Sequence, residues 1–265
     1  PKADMPLETI GALITDLGAS YIDQIDALPG DAIVLDLTGA YTNANVTSVK
    51  RALDGLVERH RGDPTAYAVF DFDYTLAIGD SSYVCIWQIL ETGDFRGGDM
   101  VKLMSEGVPA ELLPQVADLF AATDGVQRVK RFWPLYRRLW NDPGEAFGCE
   151  WRSRLFAGYT SDALVELART AMRANAKRAG HRPDENVPTE KRGFVILPEM
   201  KKLVHDLRTA GIATYVVSGS CSGVLGVATG PEFGFGIPSD RVFGCDSGVV
   251  AGQKPAFIRT RLAPR

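Results

Sequence analysis

Apolar residues recur at helical spacing in "ETIGALITDLGASYIDQID" and in "TSVKRALDGLVERHRG", with the short apolar run "AIVLDLTG" between them. A second run, "AYAVFD", is short and aromatic-rich. Pro64 bounds it on one side and acids on the other, and it predicts a fully buried strand. From about residue 80 to 190 the helical period dominates, in "SSYVCIWQILETG", "ELLPQVADLFAATDG", "VQRVKRFWPLYRRLW" and "SDALVELARTAMRANAKRAG". This stretch, residues 81–189, predicts a helical insertion with hardly a strand in it. After the polar linker "HRPDENVPTEKRG", the segment "PEMKKLVHDLRTAG" predicts a helix opened by Pro198 and closed by Gly211. "IATYVVSGS" then predicts a buried strand running into small residues, "DRVFGC" a short strand, and "GVVAGQKPAFIRTRL" a turn followed by the start of a helix.

Strands alternating with helices predict an α/β fold, a parallel sheet with helices on both faces. Residues 1–80 and 190–265 would form the core, with a helical extension over about 1–60, and the helical insertion, residues 81–189, would form an inserted second domain. Ligands of such sheets sit beyond the carboxyl ends of the strands, where the loop after "AVF" and the loop after "YVV" would meet. Composition does not alter this picture. With 45% hydrophobic residues, 23% charged and a net charge of −4, the chain lacks the basic excess of a nucleic-acid binder. No stretch approaches the roughly 18 apolar residues of a membrane span, and "PKADMPLETIGALITDLG" lacks the pattern of a signal peptide. Pro1 in first place leaves the compartment open. Cys85, Cys149, Cys221 and Cys245 are scattered without a CxxC pair, and free thiols are favoured over a disulfide.

The chemistry begins at "AVFDFDYTLAIGD", residues 68–80, where two acids close an apolar run. An unpaired buried charge costs several kcal/mol or titrates away, so acids at this place need a partner. Side chains at i and i+2 of a strand share a direction, which puts Asp71 and Asp73 on one side and calls for a cation. Mg²⁺ suits them, as a hard ion that takes oxygen ligands and bridges carboxylates to phosphate. "SGS" at 218–220 offers phosphate donors: the Ser218 hydroxyl and the backbone amides of Gly219 and Ser220, with the missing side chain at Gly219 admitting a ligand. Lys254 supplies a positive charge. Asp36 has no second acid two positions on and is followed closely by Gly39, which makes it a turn residue.

Together "DFDYT", "VVSGS" and "GQK" resemble motifs I, II and III of the haloacid dehalogenase superfamily, in the expected order. The resemblance spans about residues 45–260. It implies a Rossmann-like three-layer α/β/α core with a C1-type helical cap inserted after motif I, as in phosphoserine-phosphatase-like members. "FAGYTSDALVELA" is similar to the segment that leads back from that cap, and the flanks of motifs I and II resemble bacterial phosphorylcholine phosphatases. The implied activity is Mg²⁺-dependent hydrolysis of a small phosphomonoester, such as phosphorylcholine or a phosphorylated amino acid, through an aspartyl-phosphate. Asp71 would be the nucleophile and Asp73 the general acid and base. The Asp71 carboxylate and the Asp73 backbone carbonyl would hold the metal. Thr75 would orient the loop, Ser218 and Gly219 would bind phosphate, and Lys254 would neutralise charge. The compartments of these relatives lean towards the periplasm or secretion, with the cytoplasm as the alternative.

The sequence also departs from the family. A fourth, acidic motif should follow the motif III lysine and supply a further metal ligand, yet Lys254 lies close to the last residue, Arg265. Asp246 precedes Lys254 and is in the wrong order, so the resemblance implies a ligand beyond Arg265, and the chain as written would bind metal weakly. Two other readings stay open: a DxD glycosyltransferase, which has no use for Ser218 or Lys254, and a metal- or phosphate-binding module with an impaired site. "KRFWPLYRRLW" sets Phe132, Trp133, Tyr136 and Trp140 among basic residues. They suit either a choline-binding cage or, by the simpler reading, an amphipathic helix that buries its aromatics. Trp87 and Trp151 are equally ambiguous, and oligomeric state is not encoded in any pattern we find.

Overall fold

The computed structural model describes residues 53–178 and 194–245. The helix and strand expected before residue 53, the linker "HRPDENVPTEKRG", Asp36, Asp246 and Lys254 lie outside the described residues. The chain divides into two compact units, and the boundary cuts through several elements. In the first unit the described residues are 53–69 and 202–214; in the second they are 70–178, 194–201 and 215–245.

In the first unit, residues 53–59 are helical and bury Val57. The Gly62 N–H donates to the Ala210 carbonyl at 2.8 Å, and the Ala213 N–H to Ala66 at 3.2 Å. Val204 and Leu207, three apart on one helical face, are buried at 0% and 2% exposure.

Strand β1 (Tyr67–Phe70), strand β4 (Ala213–Cys221) and strand β5 (Val242–Cys245) form a three-stranded sheet in the order β1-β4-β5, with β4 and β5 parallel and Val216 opposite Val242. The mixed α/β class expected from the alternation is therefore observed. One expectation is corrected: β1 is not fully buried. It alternates, with Tyr67 at 47% and Val69 at 43% exposure, because successive side chains point to opposite faces of the sheet.

The second unit contains a short antiparallel pair that the sequence pattern did not reveal. Strand β2 (Ala77–Ile78) pairs with β3 (Val195–Ile196), Ala77 opposite Ile196. Helix α1 (Ser81–Thr92) starts where Asp80 accepts the Tyr83 N–H at 2.9 Å and stops at Gly93, whose φ of 72° is the left-handed region glycine tolerates. The next helices are α2 (Met100–Ser105), α3 (Leu113–Ala121), α4 (Gly125–Asn141), α5 (Glu145–Ser153) and α6 (Ser161–Arg178). Helices α2 and α5 are further elements that the period did not predict; α2 has only six residues. Helix α7 (Pro198–Thr209) opens on its proline as expected, and α8 (Ser222–Ala228) follows β4. Helix α1 packs on α4 and α6, α6 on α8, and α8 on β5, so the helical stretch is continuous with the sheet in this unit.

The aromatics of α4 follow the simpler reading. Phe132, Trp133, Tyr136 and Leu139 are buried on one face, and Phe132 stacks on fully buried Trp151 at 5.4 Å. Trp140 is half-buried. The Trp151 indole donates to the Met104 carbonyl at 2.7 Å and the Trp87 indole to Glu91 at 2.8 Å, which satisfies their polar edges. No helix among the described residues is long and apolar enough to cross a membrane.

Phe72 anchors the start of this unit. It is fully buried, with Phe194 at 6.2 Å and Phe235 at 6.1 Å between ring centroids. Phe72→Ala should destabilise the protein by about 3–5 kcal/mol, the cost of an emptied aromatic site. Urea unfolding checks this, and a loss below 1 kcal/mol would contradict the packing described.

Candidate active site

The site grows from the alternation in "DFD". With Phe72 driven inward, its two neighbours are turned away from the core. The chain then folds tightly: the Phe72 carbonyl accepts N–H bonds from Thr75 at 3.2 Å, Leu76 at 2.8 Å and Ala77 at 3.3 Å. To make this turn Tyr74 adopts φ 60°, a left-handed conformation that costs a side-chain-bearing residue about 1–2 kcal/mol. The strained turn is held where the acids are.

Asp71 is exposed as a residue, and its Oδ2 accepts the Thr75 hydroxyl at 3.1 Å. The chain packed around its carboxyl still removes enough water to raise its pKa. The Phe72 N–H and the Thr75 hydroxyl oppose this, and the charge of Asp80 adds to it. Asp73 is more deeply placed. Its Oδ1 accepts the Ser81 N–H at 2.7 Å, at the start of α1, and its Oδ2 accepts the Ser220 hydroxyl from β4. Burial first and the Asp80 charge second push its pKa up to about 6, against the pull of these donors. The Ser81 hydroxyl is close enough to join that pull but completes no hydrogen bond of its own.

Behind Asp73 the polar contacts continue. The Ser82 hydroxyl donates to the Ser220 hydroxyl at 2.9 Å, and the Ser220 N–H donates to Ser218 Oγ at 3.2 Å. Ser82, Ser218 and Ser220 are all buried. This revises one expectation: the Ser220 amide is turned to Ser218 and not towards a ligand. Gly219, between them, is exposed, and a Cβ there would meet no atom within 4 Å. Among the described residues nothing in the packing requires a glycine at this position. The opposite holds at Gly244 of β5, where a Cβ would lie 2.6 Å from the Ser220 carbonyl oxygen, so the strand approaches this turn backbone to backbone.

Asp80 links the acids to the helices. Besides capping α1, it faces Arg152 of α5 at 3.7 Å, both side chains being 14% exposed. The Arg152 guanidinium lies 4.6 Å from the Tyr83 ring centroid and 6.0 Å from that of Tyr136. The two phenol oxygens are 3.1 Å apart, and Trp133 meets Tyr83 edge-on at 5.0 Å. Burial works against the charge on Arg152, but Asp80 and the two tyrosines outweigh it and raise its pKa.

The structure thus joins Asp71 to Thr75, and Asp73 to Ser218 through Ser220, with Asp80 acting on both aspartates. The described residues contain no group of three His, Cys, Asp or Glu side chains suited to a metal ion. With both carboxylate oxygens of Asp73 engaged, the Asp71 carboxylate and the Asp73 main-chain carbonyl are what this loop has for a hard cation. The four cysteines are free, and Cys85 and Cys221 are buried. Sequence reasoning missed the Ser220 hydroxyl, Ser82, Asp80 and Arg152. A signal existed for Asp80, an acid directly before a helical period; none existed for Arg152.

No protein-family model matches the chain, and no curated protein matches it. Among solved structures, a conserved functionally unknown protein from Anaerococcus prevotii is similar, with a TM-score of 0.62 at 19% identity, over 80% of this chain and 71% of that one. That likeness extends to the fold.

Because the folded state raises the Asp73 pKa above that of the unfolded chain, the native state holds its proton longer, and ionisation lowers stability as pH rises from about 4 through about 6. Asp73→Asn, without added divalent cation, should therefore be more stable than the parent at pH 8, and the difference should shrink below pH 5. Thermal unfolding across this range checks it, and a variant less stable at pH 8 than at pH 4 relative to the parent would contradict it.

Proposed function

We propose that this chain belongs to a phosphomonoester hydrolase of the haloacid dehalogenase superfamily, with a helical C1 cap, that forms an aspartyl-phosphate on Asp71. The observation that carries this reading is the chain of contacts from Asp73 through Ser220 to Ser218, which brings the first and second sequence motifs to one place. A glycosyltransferase DxD pair has no need of that contact.

In the first step an Asp71 oxygen attacks phosphorus while the bond to the leaving oxygen breaks, and Asp73 gives its proton to the departing alkoxide. In the second, Asp73 takes a proton from water as the water oxygen attacks phosphorus and the bond to Asp71 breaks, restoring both residues. A carboxyl with a pKa of about 6 is suited to both transfers near neutral pH. Thr75 orients Asp71 through its hydroxyl. Ser218, whose oxygen accepts from Ser220, keeps its own hydrogen for a phosphate oxygen, and the open side of Gly219 lets the backbone approach it. Mg²⁺, when bound by the Asp71 carboxylate and the Asp73 carbonyl, supplies charge that keeps Asp71 ionised and offsets that of the phosphate. Lys254 adds a second positive charge in this reading.

A phosphorylated amino acid is favoured over phosphorylcholine, because a quaternary ammonium needs open aromatic faces and Arg152 already lies over those of Tyr83 and Tyr136.

Phosphate release from a panel of small esters with Mg²⁺ tests the reading. O-phosphoserine should be turned over with higher kcat/KM than phosphorylcholine, and a reversed order would remove the substrate assignment. Asp71→Asn should lose at least about a thousandfold in kcat; retention of a tenth of the parent rate would rule out the nucleophile. Gly219→Ala should unfold at the parent temperature yet raise KM, and an unchanged KM would argue against phosphate at that turn.

A further inference from the structure

We infer that Ser220, backed by Ser82, is the positioning residue for the acid and base of the reaction, an inference that rests on the function proposed above. Asp73 has two places from which its carboxyl is held. One is the Ser81 main-chain N–H at 2.7 Å, which any residue at position 81 except proline would supply. The other is the Ser220 hydroxyl, which only a hydroxyl-bearing side chain supplies.

A serine hydroxyl rotates freely unless its surroundings fix it, and here they do. Ser220 Oγ accepts the Ser82 hydroxyl at 2.9 Å, which leaves its single hydrogen for Asp73 Oδ2. Its main chain is tied as well, since its N–H goes to Ser218 Oγ at 3.2 Å and its carbonyl lies against Gly244. Ser82 and Ser220 are 4% and 3% exposed, so water does not compete for these bonds. With the Ser81 N–H on Oδ1, the relay Ser82→Ser220→Asp73 sets the plane of the carboxyl, and with it the direction of the second lone pair on Oδ1, from which a proton can be delivered. It also joins the acid to the first turn of α1, which leads into the helical stretch, and to the end of β4.

The relay predicts a selective defect. A poor leaving group, such as the alkoxide of an alkyl phosphate, needs a proton delivered as it departs, and a good one, such as p-nitrophenolate, does not. Ser220→Ala should lower kcat/KM for an alkyl phosphate by about a hundredfold, the scale of general acid catalysis, and leave that for p-nitrophenyl phosphate nearly unchanged. KM for the alkyl ester should not move. Ser220→Thr, which keeps the hydroxyl, should restore the alkyl rate. A merely structural serine would instead lower both substrates together, and that result overturns the inference while leaving the phosphatase reading intact. If Ser220→Ala does not fold, Ser82→Ala decides: the same selective loss in smaller measure supports the relay, and equal losses overturn it. Absence of phosphate release by the parent from both esters would remove the phosphatase reading and this inference with it.

Discussion

A carboxylate taken out of water must find donors or give up its charge, and Asp73 is the group on which this part of the molecule turns. Its two oxygens are met by donors from the start of α1, eight residues on, and from β4, 147 residues on. Neither segment could shift without leaving a buried charge unpaired. The alternation that turns Phe72 inward is what delivers Asp73 to these donors, so packing and electrostatics are set by the same three-residue stretch.

Asp80 distributes the consequences. As helix cap it fixes where α1 begins, and so where the Ser81 N–H and Ser82 hydroxyl stand. As a charge it raises the pKa of both Asp71 and Asp73. It also pairs with Arg152, whose guanidinium lies over the rings of Tyr83 in α1 and Tyr136 in α4. One residue thereby connects the two aspartates, the start of α1 and the Arg152 cluster.

Much of this was legible in the sequence, for local reasons. The positions of α1, α4, α6 and α7 follow from apolar period and caps, and the inward Phe72 with both acids on the side away from it follows from strand alternation. What was not legible depends on partners distant in the chain. The β2–β3 pair joins Ala77 to Ile196, two residues each, too short to leave a pattern. The exposure of β1 depends on which of its two faces the fold covers, which composition does not give. "SGS" read as a phosphate loop in which the first serine mattered, and only the fold shows that the second one holds Asp73. Arg152 draws its role from Asp80 and Tyr83, about seventy positions earlier, a pairing that local pattern does not encode.

In the function proposed, Asp71 accepts a phosphoryl group beside an acid held by Ser220. Beryllium fluoride, which mimics an acyl phosphate on a carboxylate, tests it without turnover. With Mg²⁺ present it should raise the unfolding temperature of the parent protein, by mass action on the native state, and leave Asp71→Asn unmoved. An equal shift in both proteins, or none in the parent, would contradict the account.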